Sequence, residues 1–278
     1  MIMEAARGSQ VAKHYARDSL IADIRDGLAA MGKTESTVTA EDLSPVDEFH
    51  IGGRAATGEL AEQLALTAED RVLDIGCGLG GPARQIAAHY GCQVTGIDLT
   101  RDYVEAGNVL SGWLHLEDRI SLQQGDALAL PFADESFTAA YMLHVGMNIA
   151  DKSALFSEIA RVLRVGARFG VFDVMRTGPG ELSYPLPWAS TADTNAIAQP
   201  EQYRDALSAA GFEIISERQR RDVALDYFAR QRAQAAKGRA VLGVQTLMGA
   251  RRPQMVQNMT ESISASLIAP VEIIARRR

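Results

Sequence analysis

The segment Val72-Leu73-Asp74-Ile75-Gly76-Cys77-Gly78-Leu79-Gly80-Gly81 runs a short apolar stretch straight into four glycines, and Pro82 follows at a position suited to the first turn of a helix. Backbone that must pass close to a ligand has this composition, because residues without a side chain let the chain turn sharply and leave its N–H groups open. Gly76, Gly78 and Gly81 satisfy G-x-G-x-x-G, the spacing of a dinucleotide site. Asp98 closes the next apolar stretch, Thr95-Gly96-Ile97-Asp98-Leu99, 22 residues beyond Gly76, where a carboxylate can accept both hydroxyls of an adenosine ribose. Asp74 decides between the adenosine cofactors. A pyrophosphate would bring negative charge towards its carboxylate and be repelled. A cationic amino group would gain a charge-assisted hydrogen bond. S-adenosylmethionine carries an ammonium, a ribose and an adenine in the matching order. Asp126, in Gln124-Gly125-Asp126-Ala127-Leu128, adds an acceptor for the adenine amino group.

Those aspartates have to reach one edge of one sheet. From Arg71 onward, short apolar runs alternate with helical periodicity, the pattern of βαβ units. Strands are expected over Arg71–Ile75, Gln93–Ile97, Ile120–Gln124, Phe137–Leu143 and Arg168–Val174, with crossover helices over Pro82–Tyr90, Arg101–Leu116 and Lys152–Leu163. Phe212–Gln219 and Pro270–Arg277 read as two further strands that close the sheet around an Arg- and Ala-rich helical insertion at about 222–265. Ahead of the sheet, Tyr15, Leu20, Ile24, Leu28 and Met31 recur at helical spacing up to Gly32. Thr39-Ala40-Glu41-Asp42 has the form of a capping box, and Pro45 is expected to end the short helix it opens; another helix is expected over Ala55–Leu64. Residues 1–66 therefore read as a helical lid on a domain spanning 67–278. The loop from Thr177 to Pro200 is long enough to be functional and carries Tyr184 and Trp188.

Composition limits the partners. Of 278 residues 47% are hydrophobic and 23% charged, as in a chain with a packed core, and no apolar run approaches the 18 to 20 residues or so of a membrane span. No export signal opens the chain, so the cytoplasm is the expected compartment. Cys77 and Cys92 make neither a disulfide framework nor a zinc site. Residues 212–278 hold twelve Lys/Arg against six Asp/Glu, whereas residues 1–211 carry a net −13, which argues against a nucleic-acid groove.

Taken together, LDIGCGLGG, GIDLT, GDALALPF, RVLRVGARF and the final strand resemble the class I S-adenosylmethionine-dependent methyltransferases over nearly the whole length. Asp47-Glu48-Phe49-His50-Ile51-Gly52-Gly53-Arg54 and the PLPWA loop are similar to the small-molecule subgroup that includes sarcosine and dimethylglycine N-methyltransferases and sugar O-methyltransferases. The resemblance implies a Rossmann-like, doubly wound, seven-stranded, mostly parallel sheet with an antiparallel last strand. It places Gly76, Gly78 and Gly80 against the methionine part of S-adenosylmethionine, Asp98 and Leu99 against the ribose, and Asp126 and Ala127 against the adenine. Leu143, Tyr15 and His50 join the cofactor residues; His144, Asn148, Tyr184 and Trp188 are expected around the acceptor, with His144 as the general base. Leu143-His144-Val145-Gly146-Met147-Asn148 lacks the Asn-Pro-Pro-aromatic motif of nucleic-acid amino methyltransferases, so a small-molecule acceptor is expected, without a metal, and S-adenosylhomocysteine is the product. Two other readings fit the glycine turn: an NAD-dependent oxidoreductase, and a non-catalytic S-adenosylmethionine-binding protein.

Overall fold

The computed structural model describes residues 20–237, 242–243 and 251–278. Three helices come first: α1 (Leu20–Ala30), α2 (Ala40–Asp47) and α3 (Gly53–Leu64). The alternating part follows as β1 (Arg71–Ile75), α4 (Gly81–Tyr90), β2 (Gln93–Asp98), α5 (Arg101–Trp113), β3 (Ile120–Gln124), β4 (Phe137–Leu143), α6 (Lys152–Val162) and β5 (Leu163–Arg176). After α7 (Pro200–Ala209) and β6 (Phe212–Gln219), the helices α8 (Arg221–Lys237) and α9 (Arg252–Ser264) intervene before β7 (Ile268–Arg277).

The seven strands lie in the order β3-β2-β1-β4-β5-β7-β6. β7 pairs antiparallel with both β5 and β6, and the remaining pairs are parallel, as expected. The winding direction reverses between β1 and β4, which opens a crevice at their carboxyl ends, the place where such sheets bind ligands. Both faces are covered: Leu73 and Ile75 enter one core with Phe156, Phe169 and Tyr203, while Val72 enters the other with Leu60, Ile86 and Tyr141. This two-sided burial is why β1 reads as an unbroken apolar run.

Two expectations need correction. Pro45 does not end α2 but sits inside it. Proline cannot donate to the carbonyl one turn back, and here Ser44 Oγ donates to that carbonyl, of Glu41, at 3.0 Å. The capping box itself forms, with Thr39 and Asp42 satisfying each other's backbone N–H groups. β5 is also longer than its apolar run, because it begins where α6 ends and its far end pairs with β7 through Arg176 and Ile268.

The first helices pack on the sheet's own helices. Leu20, Ile24, Leu28, Leu43 and Val46 share a core with Leu79, Tyr103, Ala106 and Leu110. Beneath this cover Arg84 of α4 donates to Asp47 Oδ2 of α2 at 2.7 Å, with the two side chains 1% and 4% exposed. A separate cluster joins Ile51, Met147 and Trp188 to Phe228, Met259, Ile263 and Ile268, fixing the 177–200 loop and the α8–α9 insertion over the same sheet edge.

Candidate cofactor and acceptor site

The glycine turn leaves β1 through three residues in the left-handed region, Gly76 at φ 70°, Gly78 at φ 53° and Gly80 at φ 75°. Their surroundings differ. A methyl at Gly76 would strike Val145, and one at Gly80 would lie 2.8 Å from Leu122, whereas one at Gly78 would meet nothing within 4 Å. Gly78 is thus the glycine whose missing side chain leaves open space rather than room for neighbouring packing.

That space belongs to a cavity over the carboxyl ends of β1, β2 and β4. Its lining brings together His50, Asp74, Gly76, Gly78, Asp98, Leu99, Asp126, Ala127, Leu143, His144 and Asn148. Gly80 is not in the lining: it is the left-handed cap of α4 and packs on Leu122. Tyr15 lies outside the described residues.

The carboxylates differ in what they have left to offer. Asp98 accepts from Gly78 N at 2.9 Å and from Thr100 N at 2.8 Å, so it holds the turn in shape while lining the cavity, and burial raises its carboxyl above the usual range. Asp126 Oδ1 accepts from Leu128 N at 2.9 Å in an Asx turn, which leaves Oδ2 for a ligand. Asp74 is 2% exposed and lines the cavity at the end of β1, beside the Tyr141 hydroxyl. Burial pushes its carboxyl up to about 7, with the Tyr141 hydroxyl opposing and the Asp98 carboxylate adding to the effect. A buried carboxyl held at the edge of ionisation suits an incoming ammonium and not a pyrophosphate.

A second cavity, of about 500 Å³, opens on the other side of Phe49, His50 and His144, which line both. Its walls include Ile51, Met147, Trp188, Phe228 and Met259, with Glu48, Arg54 and Arg252 as the charged members among the described residues. Trp188, expected in an acceptor wall, lines this cavity, its Nε1 donating to Asn195 Oδ1 at 2.9 Å. Tyr184 does not: it lines neither cavity and accepts from Asn195 Nδ2 at 2.9 Å, bracing the loop. Asn148, expected beside the acceptor, lines the first cavity, with Oδ1 buried and unpartnered.

His144 follows β4 in the left-handed region, at φ 57°, with its ring centroid 5.1 Å from that of Phe172. Nδ1 lies 3.1 Å from Phe172 O, and Nε2 accepts from Ile51 N at 3.3 Å. Both ring nitrogens are therefore engaged by backbone, and burial holds the group down to about 4, so the ring is neutral at physiological pH. What sequence reasoning missed lies nearby: Thr57 Oγ1 donates to Glu48 Oε2 at 2.8 Å and lies 3.2 Å from His50 Nε2. Glu48 stands in the motif that carries the resemblance, yet nothing in its spacing discloses Thr57 as a partner.

A methyltransferase-domain family profile matches residues 73–171. The O-methyltransferase resE of Aspergillus sclerotiorum is 30% identical over 202 residues, which cover 71% of this chain and 73% of that one. The chain belongs to the class I S-adenosylmethionine-dependent methyltransferases. As a member of that family it uses S-adenosylmethionine, and the NAD reading of the glycine spacing falls away. The chain spans about half the length of some other curated relatives, 49% in one case and 45% in another. Solved structures share the fold: phosphoethanolamine N-methyltransferase 2 of Haemonchus contortus with S-adenosyl-L-methionine superposes at TM-score 0.71, with 19% identity, covering 91% of this chain and 60% of that one. The [4+2]-cyclase SpnF superposes at 0.66, with 24% identity over 92% and 93% of the two chains. Among the described residues of this methyltransferase no helix is long and apolar enough to cross a membrane, and no cluster of three or more His, Cys, Asp or Glu could hold a metal.

Proposed function

We propose that this chain transfers a methyl group from S-adenosylmethionine to a nitrogen or oxygen of a small molecule seated in the 500 Å³ cavity. The observation that carries the reading is the meeting of two cavities at His50 and His144, one of them lined by the buried carboxyl of Asp74 together with Asp98 and Asp126. When bound, the cofactor supplies an electrophilic methyl on a good leaving group. The chain then has to hold, align and dehydrate the nucleophile, work that proximity alone can carry far. Asp74 would take the ammonium, with Gly76, Leu143 and Asn148 beside the methionine part. Asp98 and Leu99 would take the ribose, and Asp126 and Ala127 the adenine. His144 is better suited to fixing Ile51 than to accepting a proton, because its nitrogens are already engaged.

Calorimetric titration with S-adenosylmethionine, S-adenosylhomocysteine and NAD, joined to a labelled-methyl screen of small nucleophiles, tests the reading. Micromolar binding of the first two without NAD, followed by label transfer, is the expected result. NAD binding alone would overturn it, and cofactor binding with no transfer to any acceptor would favour the non-catalytic reading. Trp188→Ala should raise the acceptor's KM several-fold while leaving kcat and S-adenosylhomocysteine affinity near parent values, since it lines only the acceptor cavity.

Residues 20–66 serve as a helical cover on the domain formed by 67–278, whose helices α8 and α9 roof the acceptor; residues 1–19 of the expected lid lie outside the described residues. Val46, Phe49 and His50 already line the cofactor-side cavity, so ligand should tighten this segment. Hydrogen exchange across residues 10–54 is expected to slow on adding S-adenosylhomocysteine. Unchanged protection would sink the cover.

A further inference from the structure

His50, which lines both cavities, belongs to a chain of three buried polar side chains that the family resemblance does not account for. Glu48 is 3% exposed, Thr57 1% and His50 8%. Thr57 Oγ1 sits 2.8 Å from Glu48 Oε2 and 3.2 Å from His50 Nε2, and the carboxylate and imidazole are themselves 3.6 Å apart. The second carboxyl oxygen, Glu48 Oε1, has no partner, and Glu48 itself lines the acceptor cavity.

A threonine hydroxyl has one proton to give. If Glu48 is ionised, Thr57 gives that proton to Oε2, and His50 Nε2 must then be N–H and donate to Oγ1, which leaves the lone pair on Nδ1. If Glu48 is protonated, every arrow reverses: the carboxylic acid donates to Thr57, Thr57 donates to His50 Nε2, and the ring's proton sits on Nδ1. The same three atoms support both states with no movement of the backbone.

We propose that Glu48, Thr57 and His50 form a proton relay, in which His50 Nδ1 takes the proton released by a protic methyl acceptor and Glu48 stores it. This rests on the methyl-transfer reading above. A hydroxyl or neutral amine X–H and a sulfonium give X–CH3, a neutral thioether and one proton. As the X–C bond forms, the pair from the broken S–C bond stays on sulfur and the X–H pair stays on X. The proton enters at Nδ1 while the Nε2 proton passes to Thr57 and the Thr57 proton to Glu48. His50 ends neutral. Imidazolium is avoided: burial and the nearby His144 push His50 down to about 3 against the Gly53 backbone, whereas burial and the neighbouring Asp47 push Glu48 up to about 8 against Thr57, Arg54 and Arg84. The proton's resting place is the carboxyl, so the relay takes up a proton only from the state with Glu48 ionised, which fills as the pH rises through about 8.

The groups that face Glu48 come from several elements: Asp47 and His50 on its own segment, Arg54 on α3, Arg84 on α4, Tyr141 on β4, and Tyr227 on α8, with His144 facing His50 from the end of β4. Arg84 is committed to Asp47, and the two tyrosines stay protonated below pH 10 because burial raises them. Rising pH therefore removes a proton from Glu48 near 8 and moves the His50 proton from Nδ1 to Nε2.

The test is nitrogen NMR of the full chain labelled with 15N-histidine and saturated with S-adenosylhomocysteine, a His50→Asn variant assigning the signal among the five histidines. The expected result is an exchange of His50 tautomers with a midpoint near pH 8 and no imidazolium form. Glu48→Gln and Thr57→Val should each abolish the exchange, and Thr57→Ser should keep it. An unchanged tautomer between pH 6 and 10 in the parent, conversion to imidazolium, or the same exchange in Glu48→Gln would overturn the relay. Calorimetry with S-adenosylhomocysteine on the same samples separates the two readings: if the parent binds it yet shows no exchange, the relay alone fails, and if the parent does not bind it, the methyl-transfer reading fails.

Discussion

Replacing Asp98 by Ala should weaken S-adenosylhomocysteine binding by roughly 2 to 4 kcal/mol, on the order of 30- to 1,000-fold in Kd. One carboxylate here has two tasks. It accepts the Gly78 and Thr100 amides, which shape the glycine turn and the loop after β2, and it lines the cavity at the position proposed for the ribose hydroxyls. Alanine removes both, so the turn loses an organising acceptor as well as the ligand contact, and a drop in stability of about 1 to 3 kcal/mol should accompany the binding loss. Asp98→Asn keeps one oxygen acceptor and should fall between parent and Ala in both measurements. Calorimetric titration and thermal unfolding of the three proteins together give the answer; parent-like affinity in Asp98→Ala would mean the ligand lies elsewhere.

The largest expected effect on stability comes from Arg84→Ala. The guanidinium donates to Asp47 Oδ2 at 2.7 Å, to Gly107 O at 3.1 Å and to Ser111 Oγ at 3.2 Å, all in buried surroundings. Its removal leaves the Asp47 carboxylate uncompensated beneath the helical cover, a defect that typically costs about 3 to 5 kcal/mol, and so on the order of 10 °C in Tm for a chain of this size. The double change Arg84→Met with Asp47→Leu should be much milder, because it removes both charges and keeps the volume. Urea unfolding reads the difference. If Arg84→Ala loses less than about 1 kcal/mol, the pair is a bystander and the cover is held by Leu43, Val46 and their neighbours alone.

The strands and crossover helices, and the three aspartates at the sheet edge, were legible in the order of residues because their cause is local. A parallel strand buried on both faces must be apolar throughout, a crossover must return the chain to the same edge, and a residue at a strand's carboxyl end then has no choice about which crevice it meets. Asp74, Asp98 and Asp126 follow from connectivity. So does Gly78, whose open surroundings need only the turn. Partners that meet across the fold left no such trace. Gly80 matches its neighbours in the motif, yet Leu122 from β3 makes it a packing glycine rather than a cavity wall. Tyr184 looked like an acceptor contact until Asn195 claimed its hydroxyl. His144 looked like a base, but its two nitrogens are claimed by Ile51, 93 residues earlier, and Phe172, 28 residues later. Arg84 and Asp47 stand 37 residues apart with nothing in their spacing to pair them. Periodicity records which side of an element is buried, since burial repeats with the element's own geometry. Which polar atom answers which is decided once for each pair, by the packing of elements distant in sequence, and only the tertiary structure holds that information.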